Sequence, residues 1–380
     1  MQLDVIELAK DLISIPSVTG SESESAKYIH SLFLSLGVKS EFTEAGSAIG
    51  IIDGVLPGPT IVLDGHIDTV GVDNRKEWNT DPFVGTVVGD KLFGRGASDM
   101  KGADAAMIAA FSSFIGKKFP GRVIFAGIVE EERFEGIAAR EVSSKYKPDY
   151  VIIGESTEGR LNIGQRGRAE IVLEAFGRSC HSSNPDKGIN AIKVMMRALS
   201  VISQMEIKSQ EPLGDGILEI TDIISSPYPG VSVIPDHVKA TFDRRVLMGE
   251  CAESIVDEIN NKLVGIDAKA SLAIGETTSY GGVYFKAPRF FPPWLMERDS
   301  FIVKCAENAL KANNLFKGIG TYSFCTNGSH YRGEANIATI GYGPGKESSA
   351  HTPNEYVPLS DLTLTAEGYK AIISGLLGSV

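Results

Sequence analysis

At 380 residues the chain exceeds what one ordinary hydrophobic core accommodates, and two domains are expected. Its composition, 43% apolar and 22% charged, is that of an autonomously folding globular protein, and a formal charge of −11 argues against nucleic acid, whose phosphates need clustered Lys and Arg. Cys180, Cys251, Cys305 and Cys325 show no metal-knuckle spacing, no basic leader precedes an apolar core, and no membrane-length apolar run occurs, so the expectation is a cytoplasmic protein that is neither secreted nor membrane-inserted.

Val5, Leu8, Ala9 and Leu12 recur at helical spacing before Pro16. Ser21 and Glu24 read as a capping box for a second helix with the stripe Ile29, Phe33 and Leu36 and a stop at Gly37. Strands are predicted near 48–53, 60–65 and 82–93, then an Ala-rich helix from Met100 to about Lys118, a strand from Val123 to Val129, a helix near 136–146 and a strand from Tyr150 to Ile153. This alternation predicts an α/β domain whose central sheet is mostly parallel, with helices on its faces. Beyond Gly167 the texture changes. Strands at 169–176, 217–224, 237–246 and 268–274, with helices near 187–205 and 250–263, give βαββαβ order, a separate α+β domain of ferredoxin-like kind. The aromatic and Pro-rich run from Tyr284 to Trp294 returns the chain to the first domain. The expected division is therefore 1–166 and 284–380 for the large domain and 167–283 for the insert. Edge strands of the insert need cover, which the same domain of a second chain can provide.

The chemistry-bearing residues gather where predicted strands end. Thr60 to Gly65 leads into His66 and Asp68, whose alternation sends both side chains to one face, so that Asp68 can orient the His66 ring. A surface pair after a strand is the plainer alternative. Asp99 lies in Gly94-Arg-Gly-Ala-Ser-Asp-Met-Lys-Gly102 just before a helix. A helix cap or a cation site both suit it, whereas phosphate does not, because Walker spacing is missing and the carboxylate repels the anion. Glu130, Glu131 and Glu132 follow an apolar strand, either as a solvated cluster or as ligands at the edge where open α/β sheets bind. Glu155 ends another strand, and His351 stands in Ala350-His-Thr-Pro-Asn-Glu355. Two imidazoles and several carboxylates without thiolates suit a catalytic zinc site, and hydrolysis.

Together, Gly65-His-Ile-Asp68, the Gly94–Gly102 run, Glu131-Glu132, Gly154-Glu155, the inserted domain and His351-Thr-Pro-Asn-Glu355 resemble, in order, the di-zinc ArgE/DapE family, which includes acetylornithine deacetylase, succinyl-diaminopimelate desuccinylase and glutamate carboxypeptidase. The resemblance implies a zinc-peptidase catalytic domain with an inserted lid and dimerisation domain. It implies two Zn²⁺, with Co²⁺ or Mn²⁺ as alternatives: His66 and Glu155 on one ion, Glu132 and His351 on the other, Asp99 bridging. Asp68 then orients His66, Glu131 is the general base, and a strained or cis bond follows Asp99. Spacing from the preceding strand and to Gly136 favours the Glu131–Glu132 register, with Glu130–Glu131 as the alternative. His181, in Ser179-Cys-His-Ser-Ser183, would reach across a dimer interface to the developing oxyanion, and Arg245 and Asn327 resemble substrate-binding positions. For Arg245 a strand salt bridge is the competing reading. The expected activity is cleavage of an N-acyl amino acid by metal-activated water, the closest alternative a dipeptidase or carboxypeptidase on short peptides. A homologue that binds metal without turnover is the reading from another class. A homodimer is expected, with no nucleic-acid or membrane partner.

Overall fold

The computed structural model describes residues 3–378. The chain divides into two compact units, one running to Gln165 with Glu276–Phe285 and the segment from Trp294 onward, the other Arg166–Gly275 with Lys286–Pro293. This differs from the sequence-based division around 283. Residues 276–285 group with the larger unit because Tyr280 donates to the Gly46 carbonyl at 2.6 Å and Thr277 to Glu130 at 2.7 Å. Phe290 and Phe291 instead pair with Ala169 and Arg168 in the smaller one.

The larger unit is built on a nine-stranded sheet. Its middle is parallel: Leu56–His66 runs between Pro120–Ile128 and Tyr150–Ile153, and the last of these pairs in parallel with Ala338–Gly341. One margin is antiparallel, with Lys39–Phe42 and Ala48–Asp53, and the other is mixed, Leu161–Gln165 meeting Trp294–Leu295 antiparallel and Ile319–Tyr322 in parallel. Toward their C-terminal ends the central strands are buried on both faces and largely apolar, as parallel strands under helices are. The register sets His66 opposite Ile128 and Asp64 opposite Ile153, so three strands release their chains at one level of one edge.

The helix Lys101–Ser112 is buried nearly all round, and its alanines let it lie close to the sheet and to the helices Val5–Ile13 and Leu359–Leu376. Beneath it Phe33 stacks edge-on against Phe111 and Phe125, with centroids 5.2 and 5.7 Å apart. Helix ends depart from the sequence expectation for local reasons. The Ala-rich helix stops at Ser112, and Gly116 turns the chain with φ 73°. The second helix starts at Ser23 without the Ser21 capping box, since Glu22 occupies the cap in helical conformation and its buried carboxylate accepts from Gly20 N–H instead. The stretch 82–93 is a hairpin of Thr86–Val88 and Lys91–Phe93 about Gly89, whose φ is 65°.

The smaller unit has the βαββαβ order read from sequence. Its antiparallel sheet runs Ile217–Ser226, His237–Val246, Gly167–Phe176, Ala268–Leu272, the strand order of a ferredoxin-like sheet. Alternate residues of Gly167–Phe176 are buried, and Ile171, Leu173, Phe242 and Ala270 join Val194, Met195, Ile255 and Ile259 from the helices Ala191–Ile202 and Ala252–Lys262 in one core. The edge strand Ile217–Ser226 leaves Ile220, Ile223 and Ile224 exposed. No helix among the described residues is long and apolar enough to cross a membrane.

Candidate metal centre

The aligned strand ends deliver His66 and, just beyond them, Glu131, Glu132 and Glu155 to one place in the larger unit. His66 is fully buried. Its Nδ1 lies 2.9 Å from the main-chain oxygen of Asp68, which fixes that nitrogen as the donor and turns Nε2 toward Asp99 Oδ1 at 2.8 Å and Glu155 Oε1 at 3.4 Å. The Asp68 carboxylate, expected to orient the ring, stands 3.6 Å from Nδ1, beyond a hydrogen bond. It accepts instead from Glu132 N–H at 3.1 Å, Glu131 N–H at 3.3 Å and the Thr19 hydroxyl at 2.9 Å. Asp68 therefore holds the ring through its backbone and the glutamate turn through its side chain.

Asp99 stands in the middle. Its second oxygen, Oδ2, is 3.1 Å from His351 Nε2, and that nitrogen is 2.9 Å from Glu132 Oε2. The peptide bond after Asp99 is cis. Two donor groups capable of holding an ion result: His66, Asp99 and Glu132, and His66, Glu131 and Glu155. Glu131 is buried, and its Oε1 has no hydrogen-bond partner. His351 is 52% exposed, so the constellation is buried on the His66 side and open to solvent on the other.

The electrostatics of the cluster favour positive charge. Burial, reinforced by the charge of Asp99, pushes Glu155 and Glu132 each up to about 7. Burial also lifts Glu131 well above the carboxylate range, with Glu155, Glu135 and Glu132 adding to it. His351 rises to about 10 because Asp99 and Glu132 favour its charged form, and His66 is raised although burial opposes it, since Asp68, Asp99 and Glu155 surround the ring. So many carboxylates around two imidazoles are relieved by protons or by cations. An all-nitrogen-and-oxygen donor set with an unbonded, buried Glu131 oxygen fits divalent metal.

Other sequence candidates fall as follows. Asn327, expected at the substrate, has both ends of its amide bonded inside the fold: Oδ1 accepts from Gly136 N–H at 2.7 Å and Nδ2 donates to Asp64 at 2.9 Å. His181 belongs to the smaller unit and is exposed there; Ser183 N–H donates to its Nδ1 at 3.2 Å, which puts the proton of the neutral ring on Nε2. Arg245, in the same unit, pairs with Asp243 at 2.8 Å. Sequence reasoning assigned no part to Glu355, whose buried carboxylate gathers the Asp99 loop, or to Ser156, which donates to the Ser98 carbonyl at 2.9 Å. It also missed Asp104, a buried carboxyl with neither oxygen bonded, over which Gly65 must stay bare because a Cβ would lie 2.0 Å from Oδ1.

Comparison with known proteins agrees with this geometry. A model of peptidase family M20/M25/M40 matches residues 62–375. YgeY, an uncharacterized protein of Escherichia coli, is 33% identical over 98% of this chain and 94% of its own length, and an acetylornithine deacetylase of Buchnera aphidicola is 28% identical over 93% and 92%. The fold superposes on aminopeptidase PepT of Bacillus cereus with a TM-score of 0.76 at 20% identity, covering 99% of each chain. It also matches the YXEP protein of Bacillus subtilis, a dinuclear metal-binding peptidase of the M20 family, at 0.70 and 16%, covering 99% of this chain and 98% of that one. The chain belongs to peptidase family M20/M25/M40 and is a metal-dependent hydrolase of amide or peptide bonds.

Proposed function

We propose that this protein is a zinc-dependent deacylase of N-acyl amino acids. The observation that carries the reading is Asp99, which offers one oxygen to each of two histidines, Oδ1 to His66 at 2.8 Å and Oδ2 to His351 at 3.1 Å, with Glu155 and Glu132 at the two ends. His66 and Glu155 would hold one ion and His351 and Glu132 the other, with Asp99 within reach of both; cobalt or manganese suits the same donors. Metal held there would supply Lewis acidity and make a water molecule more acidic. Glu131 does the proton work. With one oxygen unbonded and its basicity raised by burial and by the neighbouring carboxylates, it takes the proton from water and returns it to the leaving amine. The donor to the developing oxyanion is His181, whose own loop places the proton on Nε2, and Arg245 is the contact for the substrate carboxylate. A second copy covers the edge strand Ile217–Ser226. A cytoplasmic setting agrees with four cysteines that form no disulfide.

A relative named acetylornithine deacetylase, aligned over most of both chains, supports the deacylase reading. The test is amine release by metal-loaded protein from a panel of N-acetyl and N-succinyl amino acids and dipeptides, with a chelator control. Chelator-sensitive release from acylated amino acids is expected. Release from dipeptides alone replaces the deacylase with a peptidase, and no release with metal bound leaves a non-catalytic binder.

A further inference from the structure

The loop from Gly94 to Asp99 belongs to no helix or strand, so its backbone N–H groups need partners from elsewhere. One side chain provides three of the six, while Arg95 N–H donates to the Pro82 carbonyl and Ala97 N–H to the Gly94 carbonyl. Glu355 Oε1 accepts from Ser98 N–H at 2.8 Å and from Asp99 N–H at 2.9 Å, while Oε2 accepts from Gly96 N–H at 3.1 Å and from the Arg95 guanidinium at 2.6 Å. The Glu355 main-chain oxygen also accepts from Gly94 N–H at 3.0 Å. Glu355 is fully buried and Arg95 nearly so. A carboxylate has about four acceptor positions, and all are used on a single loop.

Glu355 is also four residues beyond His351. Between them the chain reverses through left-handed residues, His351 at φ 59° and Asn354 at φ 60°, with Asn354 anchored to Asn79 N–H at 2.7 Å and to the Glu77 carbonyl at 2.9 Å. One short segment thus presents an imidazole to Asp99 Oδ2 and a carboxylate to the Asp99 backbone. Fixing the backbone N–H of Asp99 fixes where its side chain can point. We propose that Glu355 is a positioning residue of the metal centre: it pre-assembles the Asp99 loop against the His351 segment so that the shared ligand is in place before a cation arrives. This rests on the reading of Asp99 as the shared ligand. It explains why the residue is an acid. Glutamine has one carbonyl oxygen where the loop uses two, and its amide nitrogen would face N–H donors.

The test is metal affinity, read by competition with a chromophoric chelator, for wild type and Glu355→Gln. Expected is a weakening of about 10–100-fold in a variant that still melts cooperatively. A role in fold stability alone would lower the melting midpoint and leave metal affinity within about threefold, and that result overturns the proposal. Should Glu355→Gln fail to fold, hydrogen exchange on metal-free wild type decides. The Ser98 and Asp99 amides are expected to exchange at least about tenfold slower than in an open loop, and free exchange overturns pre-assembly. Neither readout needs turnover, so a protein that binds metal but cleaves nothing contradicts the deacylase alone. If it binds no metal, the exchange result still judges Glu355.

Discussion

At the residue scale the chemistry turns on Glu131, buried beside His66 and Glu155. Replacing it by glutamine keeps shape and packing but removes the base. Glu131→Gln is expected to lose about 10²–10⁴-fold in kcat while its metal content, measured on the dialysed protein, stays at the wild-type level. Unchanged turnover would remove Glu131 from that role. A second test concerns backbone approach. A Cβ at Gly343 would lie 2.2 Å from the Gly154 carbonyl oxygen and 2.3 Å from that of Glu155, so Gly343→Ala must displace the turn that carries Glu155. The expected cost is roughly 1–3 kcal/mol in a urea melt, together with weaker metal retention. His66, Asp99, Glu155 and His351 were legible in the sequence because each follows an apolar strand or stands in a Gly- or Pro-marked loop. The hold of Asp68 on the glutamate turn and of Glu355 on the Asp99 loop was not. These are side-chain bonds to backbone N–H across 63 and 256 residues, and no local spacing encodes them.

Elements place these residues, and their ends carry their own tests. The π-helical turn Ser329–Glu334 packs on Ala139–Tyr146 and is fastened by Glu334, which accepts from Arg140 at 2.7 Å and meets His330 Nδ1 at 2.8 Å. Burial opposes the Glu334 charge, yet His330 and Arg140 outweigh it and hold the carboxyl down at about 2. Its folded value lies below the ordinary 4.5, so its stabilisation is complete above that value and is lost as pH falls through about 2. Glu334→Gln is therefore expected to cost about 1 kcal/mol at pH 7, a modest figure because Glu334 and Arg140 both meet solvent. Urea midpoints followed downward from pH 5 should show the difference shrinking; a constant gap would mean that packing carries it. Strand positions were well read from apolar runs, and helix ends less well. Ser21 has cap chemistry, but Glu22 turned inward and the helix began at Ser23. The strands Lys39–Phe42 and Leu161–Gln165 were missed because one is short and largely polar and the other contains Asn162, Gly164 and Gln165.

Across the whole molecule, βαββαβ order in the smaller unit followed directly from alternation and helix periodicity. The aromatic and Pro-rich run marked where the chain returns but not the boundary itself, because 276–285 groups with the larger unit and 286–293 with the smaller. That unit also carries the proposed dimer contact. Ile220, Ile223 and Ile224 are 42%, 53% and 50% exposed on an edge strand, a surface that isolated chains rarely leave open. Light scattering is expected to give twice the chain mass for wild type and the chain mass for Ile223→Asp. A monomeric wild type would refute the contact.

Metal stoichiometry judges the central claim most directly. Elemental analysis of protein loaded with zinc and freed of excess is expected to find about two ions per chain, falling to one or none in Asp99→Ala, because that carboxylate serves both histidines. A single ion in wild type, or two ions retained without Asp99, would contradict a shared-ligand centre.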